Sequence, residues 1–422
     1  MFTSFSTALS ALSATSTAID VVGNNLANLN TPGFKTSQVC FRDLVTQSLG
    51  AGLGETQVGF GTGQPLTVRQ FTQGAIQTTN GVLDAAIQGD GFFVLQNQAG
   101  ATLYTRAGNF QADKSGYLLT DTGDFVQGWT TIDPVTGNLN TNGPTGNIIV
   151  PVGSLKAPTP TSGFTVDLNL NSSAAADSTS DFSTPMTVYD SLGDAHVLTL
   201  KFEKTGANQW TYQVSMPGDQ VAGGTAGAPF DISGAGGTLT FDSMGQLTDP
   251  AAGSPITFDI AGLSDGAADM HITWDPYTGS GAGRITQFGQ PSAPSANSQN
   301  GSPAAQLVRV GVSDGGRVLA QYSNGDQVVV GQIAMASIRN PDTLLAAGNN
   351  AFQLSARTAT PSIGTPGTGG RGQVVGGSVE ASTVDIAQEF TNLIVYQRGY
   401  EANSRVVTTA DQLSQDTINL IH

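Results

Sequence analysis

The two ends of the chain carry long amphipathic stripes, and the roughly 350 residues between them show no comparable helical pattern. Near the N-terminus, large apolar residues recur in steps of three and four from Phe2 to Leu26. Near the C-terminus, they recur every seven positions from Ile386 to Val407. These periods predict two long amphipathic helices over 2–29 and 384–421. Because nothing between them offers a helical partner, they must pair with each other or with other chains. A coiled-coil-like pair is favoured, and a two-helix hairpin packed on the body is the alternative.

Between the stripes, the sequence is typical of strands joined by tight turns. Asp113, Asp190 and Asp242 are each followed three residues later by a glycine. This spacing predicts a type I turn in a bulged hairpin, with the glycine at positive φ. The alternating ligands that a calcium loop needs are absent from these segments. The predicted fold is therefore multidomain, with mainly β middle domains in a nested insertion and a long α-helix at each end.

Charge marks a boundary inside the β region. The segment from Thr205 to Gly283 contains eight aspartates and no lysine or arginine. Turn-rich stretches, "LKAPTPTSG" and "QPSAPSANSQNGSPAAQ", flank it. We predict an inserted outer β domain at 155–290. The other predicted parts are a discontinuous β domain at 73–154 and 291–365, an extended connector at 31–72 and 366–383, and a terminal helical domain at 1–30 and 384–422.

Composition excludes several classes of partner. The formal charge of −16 over 422 residues argues against binding nucleic acid or anionic lipid through their phosphates. No continuous apolar run approaches the ~20 residues of a membrane span. The first residues lack the basic region of a secretory signal peptide, which taken alone predicts a cytoplasmic protein. Cys40 is the single cysteine, so no intramolecular disulfide is expected.

Residues with catalytic or metal-binding chemistry are scarce. None of His196, His271 and His422 has a partner at metal-ligand spacing, and Cys40 has no histidine nearby in the sequence. The glycine-rich segment 50–65 lacks the Lys-Ser/Thr pair of a phosphate-binding loop. We therefore predict no catalytic, cofactor-binding or metal-binding residues. Paired carboxylates of a glycosidase remain an open alternative, because such residues are paired in space and not in sequence.

Residues 20–35 read "DVVGNNLANLNTPGFK", in which a helical stripe runs into a cluster of amides and stops. Pro32 disfavours helix at the residue before it, and a type II turn with Gly33 at positive φ is predicted next. Amides both donate and accept hydrogen bonds, so they can tie helix to helix and cap carbonyls without adding charge. An ordinary polar helix end is the alternative.

This segment resembles the signature of the axial proteins of the bacterial flagellum, the rod and hook family. A second stretch similar to that family is "VDIAQEFTNLIVYQRGYEANSRVVTTADQL" at 384–413. The stretches "IQGDGFFVL" and "TRAGNFQADKSGYLLT" are similar to the β domain that the family shares. One departure is Thr383, where the family usually has Asn, and it puts only the local contact in doubt.

The resemblance implies a structural protein without enzyme activity or cofactor. The large predicted insertion and "NPDTLLAAGNNAF" favour a hook-type member, which assembles with itself into a curved tube that transmits torque between rod and filament. The alternatives are a distal rod protein and, from another class, a surface β-domain glycosidase or adhesin. Implied partners are copies of the chain, the hook cap, the distal rod, a hook-length control protein and the hook–filament junction protein. The family is exported by the flagellar type III apparatus without a cleaved signal peptide, which implies an extracellular location and no membrane insertion.

The residues expected to pack subunits together come from the two stripes and the two signature segments. They are Phe2, Phe5, Leu9, Leu12, Ile19, Asn24, Asn25, Leu26, Asn28, Asn30, Pro32, Gly33, Phe34, Phe390, Leu393, Tyr396, Gln397, Arg398, Tyr400, Asn403 and Val407.

Overall fold

The computed structural model describes residues 2–44, 46–48, 57–132 and 139–419. Contacts divide the chain into two compact units. The first unit comprises Met1–Val152, Arg309–Gln321 and Gln327–His422, and the second comprises Gly153–Val308 and Tyr322–Asp326. The second unit is thus inserted into the first. The finer division into four parts, with the boundaries given above, stays a prediction.

The two terminal helices are α1, Phe2–Ala27, and α2, Ile386–Asn419. Helix α2 begins just after Asp385, whose Oδ1 accepts the backbone N–H of Ala387 at 2.8 Å and of Gln388 at 3.2 Å, as an N-cap does. The helices pack against each other in antiparallel directions, because Asn25 donates a hydrogen bond to Glu389 whereas Thr15 lies beside Gly399, with its Cγ2 4.0 Å from where a Cβ atom of residue 399 would be. The predicted pair of long helices is confirmed. Helix α1 ends two residues before the predicted end, because the backbone there enters hydrogen-bonded turns.

Helix α1 is apolar along much of its length, although it contains no continuous apolar run of about 20 residues. By length and composition, Ser4–Ala27 is apolar enough to cross a membrane, with a mean hydropathy of 1.2. It reaches that value through alanines and scattered large apolar residues and not through one continuous run. Core helices of soluble proteins reach the same value, so this property alone does not indicate a membrane protein.

The strands follow three blocks along the chain. Those of the first block are β1 Ser37–Cys40, β2 Thr46–Ser48, β3 Gln57–Gly59, β4 Leu66–Arg69, β5 Ile76–Thr78, β6 Ala85–Gln88, β7 Phe92–Gln96, β8 Thr102–Thr105, β9 Phe110–Ala112, β10 Leu118–Thr120, β11 Phe125–Trp129 and β12 Gly146–Asn147. Those of the second are β13 Leu155–Lys156, β14 Gly163–Asn171, β15 Phe182–Tyr189, β16 Ala195–Gly206, β17 Gln209–Pro217, β18 Pro229–Phe241, β19 Leu247–Asp249, β20 Ile256–Ile260, β21 Met270–Trp274, β22 Ile285–Phe288 and β23 Ala293–Gln299. Those of the third are β24 Ala305–Ser313, β25 Arg317–Tyr322, β26 Gln327–Ile333, β27 Met335–Ser337, β28 Leu345–Gly348, β29 Ala351–Gln353, β30 Ser362–Gly364, β31 Gln373–Gly376 and β32 Ser378–Glu380.

In the first unit, a sheet in the order β25-β26-β11-β7-β8-β29-β28 joins strands from both sides of the insertion. Its core includes Phe93, Leu95, Leu118 and Met335, all fully or almost fully buried. Three further antiparallel pairs are formed by strands that lie, along the sequence, between a terminal helix and the strands of this sheet. They are β1 with β4, β5 with β32, and β6 with β31. The last two pairs bring the segment after α1 together with the segment before α2.

The second unit packs two five-stranded sheets around one core. One is the antiparallel meander β15-β16-β17-β18-β19, and the other has the order β20-β21-β14-β22, with β23 also paired to β14. Alternate residues of β14 and β16 are buried, as expected for a sandwich in which each sheet has one solvent-exposed and one buried face. Trp210 and Trp274 are fully buried in the shared core. Because β23 pairs with β14, residues 293–299 belong to this unit.

The three predicted bulged turns are confirmed. Gly116, Gly193 and Gly245 have φ values of +86°, +91° and +77°. Each donates its N–H to the carbonyl of the aspartate three residues earlier, at 3.0 to 3.2 Å. Each aspartate also accepts backbone N–H groups through its Oδ1 atom, which stabilises the turn.

Candidate functional site

The amide-rich end of α1 leads into a tight corner of the chain. The predicted type II turn is present: the Phe34 N–H donates to the Thr31 carbonyl at 3.2 Å, and Gly33 has a φ of +68°. A Cβ atom at Gly33 would lie 2.6 Å from the backbone nitrogen of Ala107. Both the positive φ and the lack of space therefore require glycine here.

Asn25 joins three elements through its amide. It is 1% exposed, and its Nδ2 donates to the Ser37 carbonyl at 2.8 Å and to Glu389 Oε1 at 3.0 Å. Its Oδ1 accepts the Ser37 N–H at 3.0 Å. One neutral side chain thus connects α1 to β1 and to the first turn of α2. Burial raises the pKa of Glu389, an effect that the Asn25 hydrogen bond opposes and nearby Asp385 reinforces.

Other amides cap carbonyls at the same corner. Asn28 Nδ2 donates to the Asn24 carbonyl at 2.9 Å, and Thr31 Oγ1 donates to Asn28 Oδ1 at 3.0 Å. Asn350 Nδ2 reaches across from the β28–β29 turn to the Pro32 carbonyl at 2.8 Å. The predicted ability of the amides to tie and to cap is therefore realised within one chain.

These side chains border a groove of about 500 Å³ between the end of α1 and the β sheet of the first unit. Amide groups line much of it, and Arg69 is its cation. The lining side chains that carry amides are Asn24, Asn28, Asn109, Asn349 and Asn350.

Directly after the turn, Lys35 enters a fully buried ionic network. Its Nζ lies 2.6 Å from Glu380 Oε1 and donates to the Thr72 carbonyl at 2.6 Å. Glu380 Oε1 also accepts the Gly74 N–H at 2.7 Å, and its Oε2 lies 3.4 Å from Arg106 Nη1. Lys35 and Glu380 are 0% exposed and Arg106 is 3% exposed. One carboxylate therefore holds two cations from two different parts of the chain.

The pKa values follow from this burial. Burial lowers the pKa of Lys35, and the charge and hydrogen bond of Glu380 partly offset that effect. Burial likewise lowers the pKa of Arg106. Sequence reasoning missed Lys35, Arg106 and Glu380 as functional residues, and the sole signal was a lone lysine after a run of uncharged residues.

The predicted apolar stripe of α1 is not the row that packs on α2. The buried side chains of α1 are mostly small, and they are Ala8, Ala14, Thr15, Ala18, Val22 and Asn25. The stripe lies beside that row, with Phe5 40% exposed and Leu9 54% exposed, and Leu12, Ile19 and Leu26 half-buried. Small side chains let the two helices approach closely and leave the large ones at the edge.

On helix α2, the predicted residues divide into a half-buried and an exposed group. Leu393, Tyr396, Asn403 and Val407 are half-buried, and the Tyr396 ring lies 6.0 Å from that of Phe41. The remaining predicted residues of α2 are exposed, and they are Phe390, Gln397, Arg398 and Tyr400. We call the exposed or half-exposed large apolar side chains Phe5, Leu9, Leu12, Phe390 and Tyr400 the lateral rows.

Two predicted residues fall elsewhere. Asn30 is exposed in the turn after α1, and the side chain of Phe2 lies outside the part of the chain that the structure describes. Thr383, which departs from the family pattern, accepts the Thr36 N–H at 2.9 Å through its hydroxyl, so the local contact is made. Cys40 is exposed at the end of β1.

Four family profiles match segments that together span most of the chain. Their descriptions are "Flagella basal body rod protein" at 5–35, "Flagellar hook protein FlgE/F/G D1 domain" at 86–166, "Flagellar basal body protein FlaE D2 domain" at 155–302 and "Flagellar basal body rod FlgEFG protein C-terminal" at 375–420.

Full-length relatives agree with these matches. The chain is 33% identical to the flagellar hook protein FlgE of Escherichia coli K12 over 99% of both chains. It is 32% identical to that of Treponema pallidum over 96% of both chains. In fold it is similar to the crystal structure of Helicobacter pylori flagellar hook protein FlgE2, with a TM-score of 0.52 at 15% identity over 71% of this chain and 99% of that one. The chain therefore belongs to the flagellar hook protein FlgE family, non-enzymatic structural subunits of the extracellular hook of the bacterial flagellum.

Proposed function

We propose that copies of this chain polymerise into a curved tube through the lateral rows of α1 and α2, and that this tube transmits torque between rod and filament. The observation that carries the proposal is the exposure of large apolar side chains along paired helices. Leu9 is 54% exposed and Phe390 is 52% exposed. Exposed apolar patches of this kind mark interaction surfaces. Neighbouring subunits supply the cover that one chain cannot.

The sequence of α1 supports the same proposal. Residues 3–18 are rich in Ser and Thr, which are each about 0.5 kcal/mol less favourable in a helix than Ala. Such a helix depends on tertiary burial and not on its own propensity. Within one chain, the buried row of α1 offers mostly small side chains. We infer that the ends of the isolated subunit are disordered and become helical on assembly.

This inference predicts a measurable gain of helix. Far-UV circular dichroism of the purified full-length chain should show helical signal rising as it polymerises. Limited proteolysis should trim the unassembled chain to about 30–383 and spare the polymer. An unassembled chain with its full helix content and intact ends would show that α1 and α2 form a self-contained hairpin and would rule out completion by neighbours.

We further propose that the inserted unit modulates the tube and does not build it. Residues 153–308 contain fourteen Asp and Glu against four Lys and Arg. Like-charged faces on neighbouring copies repel over a screening length of about 8 Å at physiological salt. The unit is thus suited to tuning the spacing and curvature of the polymer.

A deletion tests this role. Lys156 and Ala305 are partners in the antiparallel pair of β13 and β24, so an Asn-Gly turn can replace residues 157–304. We expect the shortened chain to form tubes with altered curvature or flexibility in electron micrographs. If the shortened chain stays folded but forms no tubes, the inserted unit supplies essential contacts and the proposed division is wrong.

Membership of the family supports a further set of partners. We propose that the chain also contacts the hook cap, the distal rod, a hook-length control protein and the hook–filament junction protein, and that the type III apparatus exports it. The disorder inferred for the terminal segments before assembly would suit passage through a narrow channel.

A further inference from the structure

A second cluster of polar side chains lies in the inserted unit, away from the terminal helices in sequence. Asp190 begins the turn between β15 and β16, His196 lies on β16, and Asp265 lies in the loop between β20 and β21. His196 Nε2 is 2.9 Å from Asp190 Oδ2 and 3.4 Å from Asp265 Oδ2. These three atoms all lie within 4.8 Å of one another. Asp190 is 0% exposed and His196 is 5% exposed.

In each of the three side chains, the other polar atom is occupied by a hydrogen bond. Asp190 Oδ1 accepts the N–H groups of Leu192, Gly193 and Asp194 at 2.7 to 2.9 Å. Asp265 Oδ1 accepts the Ala267 N–H at 2.9 Å. His196 Nδ1 lies 2.9 Å from Gln220 Oε1. Each side chain is therefore oriented by the protein, and the remaining atoms, His196 Nε2, Asp190 Oδ2 and Asp265 Oδ2, lie close together, with Nε2 and Asp190 Oδ2 at hydrogen-bond distance.

The hydrogen bond with Gln220 determines which ring nitrogen of His196 carries the proton. An amide oxygen accepts, so Nδ1 of His196 carries its proton. In the neutral ring, Nε2 then presents a lone pair to two carboxylate oxygens. These three electron-rich atoms repel one another unless a metal cation lies between them or Nε2 takes up a second proton and donates it to Asp190. Metal-binding histidines are oriented in this way, with the second ring nitrogen donating to a protein oxygen.

We propose that Asp190, His196 and Asp265 bind a divalent transition-metal ion of the zinc type. Zinc bonds of 2.0–2.2 Å to nitrogen and oxygen place tetrahedral ligands about 3.3–3.6 Å apart. The observed separations of 2.9 and 3.4 Å need only a small outward shift. An imidazole nitrogen favours zinc-type ions over calcium and magnesium, which prefer oxygen ligands. The side chain of Asp265 is 24% exposed, which leaves an entry path and room for a water as the fourth ligand.

The metal would tie the β20–β21 loop to the β15–β16 hairpin of the same unit. Sequence spacing did not indicate the site, because Asp265 is far from His196 along the chain. The His271–Asp259 pair offers a matched comparison in the same unit. Its two groups are 2.6 Å apart, but their side chains are 80% and 67% exposed, and no third ligand joins them among the described residues.

The test uses the full-length, unassembled chain stripped of metal with a chelator. Isothermal titration with Zn²⁺ should show one saturable site per chain, and Co²⁺ should give the visible absorption of tetrahedral coordination. The Asp265→Asn variant, which retains the acceptor for Ala267, should bind Zn²⁺ at least about tenfold more weakly, and so should Gln220→Leu, which removes the positioning acceptor. His271→Ala should bind as the parent chain does.

Thermal unfolding distinguishes loss of the site from loss of the fold. Without metal, Asp265→Asn should unfold at a temperature no lower than that of the parent chain, because the change removes one of the negative charges that repel one another there. Zn²⁺ should raise the unfolding midpoint of the parent and of His271→Ala but not that of Asp265→Asn. Absence of one-to-one binding, or equal affinity in Asp265→Asn, would overturn the proposal and leave an imidazolium bridging the two carboxylates as the explanation of the cluster.

Discussion

Replacing Leu9 and Leu12 together by Asp is expected to abolish polymerisation and to leave the β units folded. Leu9 is 54% exposed in the single chain and Leu12 is half-buried, so the substitutions cost the isolated chain little. In the proposed tube, neighbours bury both side chains, and each burial contributes about 1.5–3 kcal/mol. Losing both contributions, and burying carboxylates in their place, should raise the critical concentration by more than about 100-fold.

Sedimentation and electron microscopy of the purified chain check this result. Leu9→Met with Leu12→Met serves as the matched control, because it retains the apolar surface and should still assemble. The thermal unfolding of the β units should be unchanged in both variants. Tubes formed by the Asp variant at the normal concentration would show that the lateral rows are not the subunit interface.

Replacing Glu380 by Ala should cost about 3–5 kcal/mol in the first unit, because it leaves Lys35 and Arg106 buried without their shared carboxylate. Lys35 Nζ lies 2.6 Å from that carboxylate, and both residues are fully buried. The effect should be local to the joint between the α1 turn, β5 and β32. Hydrogen–deuterium exchange should therefore accelerate most in peptides covering residues 33–40 and 73–80.

Two further variants separate charge from packing. Lys201→Met breaks a pair with Asp181 at 2.7 Å in which the lysine side chain is 48% exposed, and it should cost less than about 1 kcal/mol. Combining Glu380→Gln with Lys35→Met should cost less than the sum of the single changes, because the charges are removed together. A loss below about 1 kcal/mol in Glu380→Ala would mean that the network does not hold the joint.

Several features were predictable from residues close together in the sequence. The heptad spacing of apolar residues predicted α1 and α2, and the Asp-x-x-Gly spacing predicted three bulged turns that the φ values of Gly116, Gly193 and Gly245 confirm. The Pro-Gly pair predicted the corner at Gly33. The turns and the corner depend on backbone sterics and hydrogen bonds that act over a few residues, and the spacing of apolar residues that indicates a helix is also a local pattern, so a single sequence contains the necessary information.

The face that each helix buries was not predictable in the same way. The large apolar residues of α1 suggested the stripe from Phe2 to Leu26 as the packing row. The structure buries the small residues beside it, such as Ala8 and Ala18. Periodicity shows that a helix has an apolar side. That side is wide enough for either of two neighbouring rows of residues to pack against another helix. Which part faces α2 is decided by how closely the two backbones can approach.

The sequence by itself determined the helices at both ends, the β character of the middle, the tight turns and, through its signature segments, the family. Only the tertiary structure decided which charges meet. Lys35 contacts Glu380 because β32 pairs with β5 in one register. His196 lies near Asp265 because the two sheets of the second unit pack face to face. Such pairings join residues far apart in the chain, and their energy depends on burial that no local pattern specifies. Local steric preferences depend on neighbouring residues and can be inferred from the sequence. The desolvation and pairing of charges arise only when strands that are distant in the sequence come into contact.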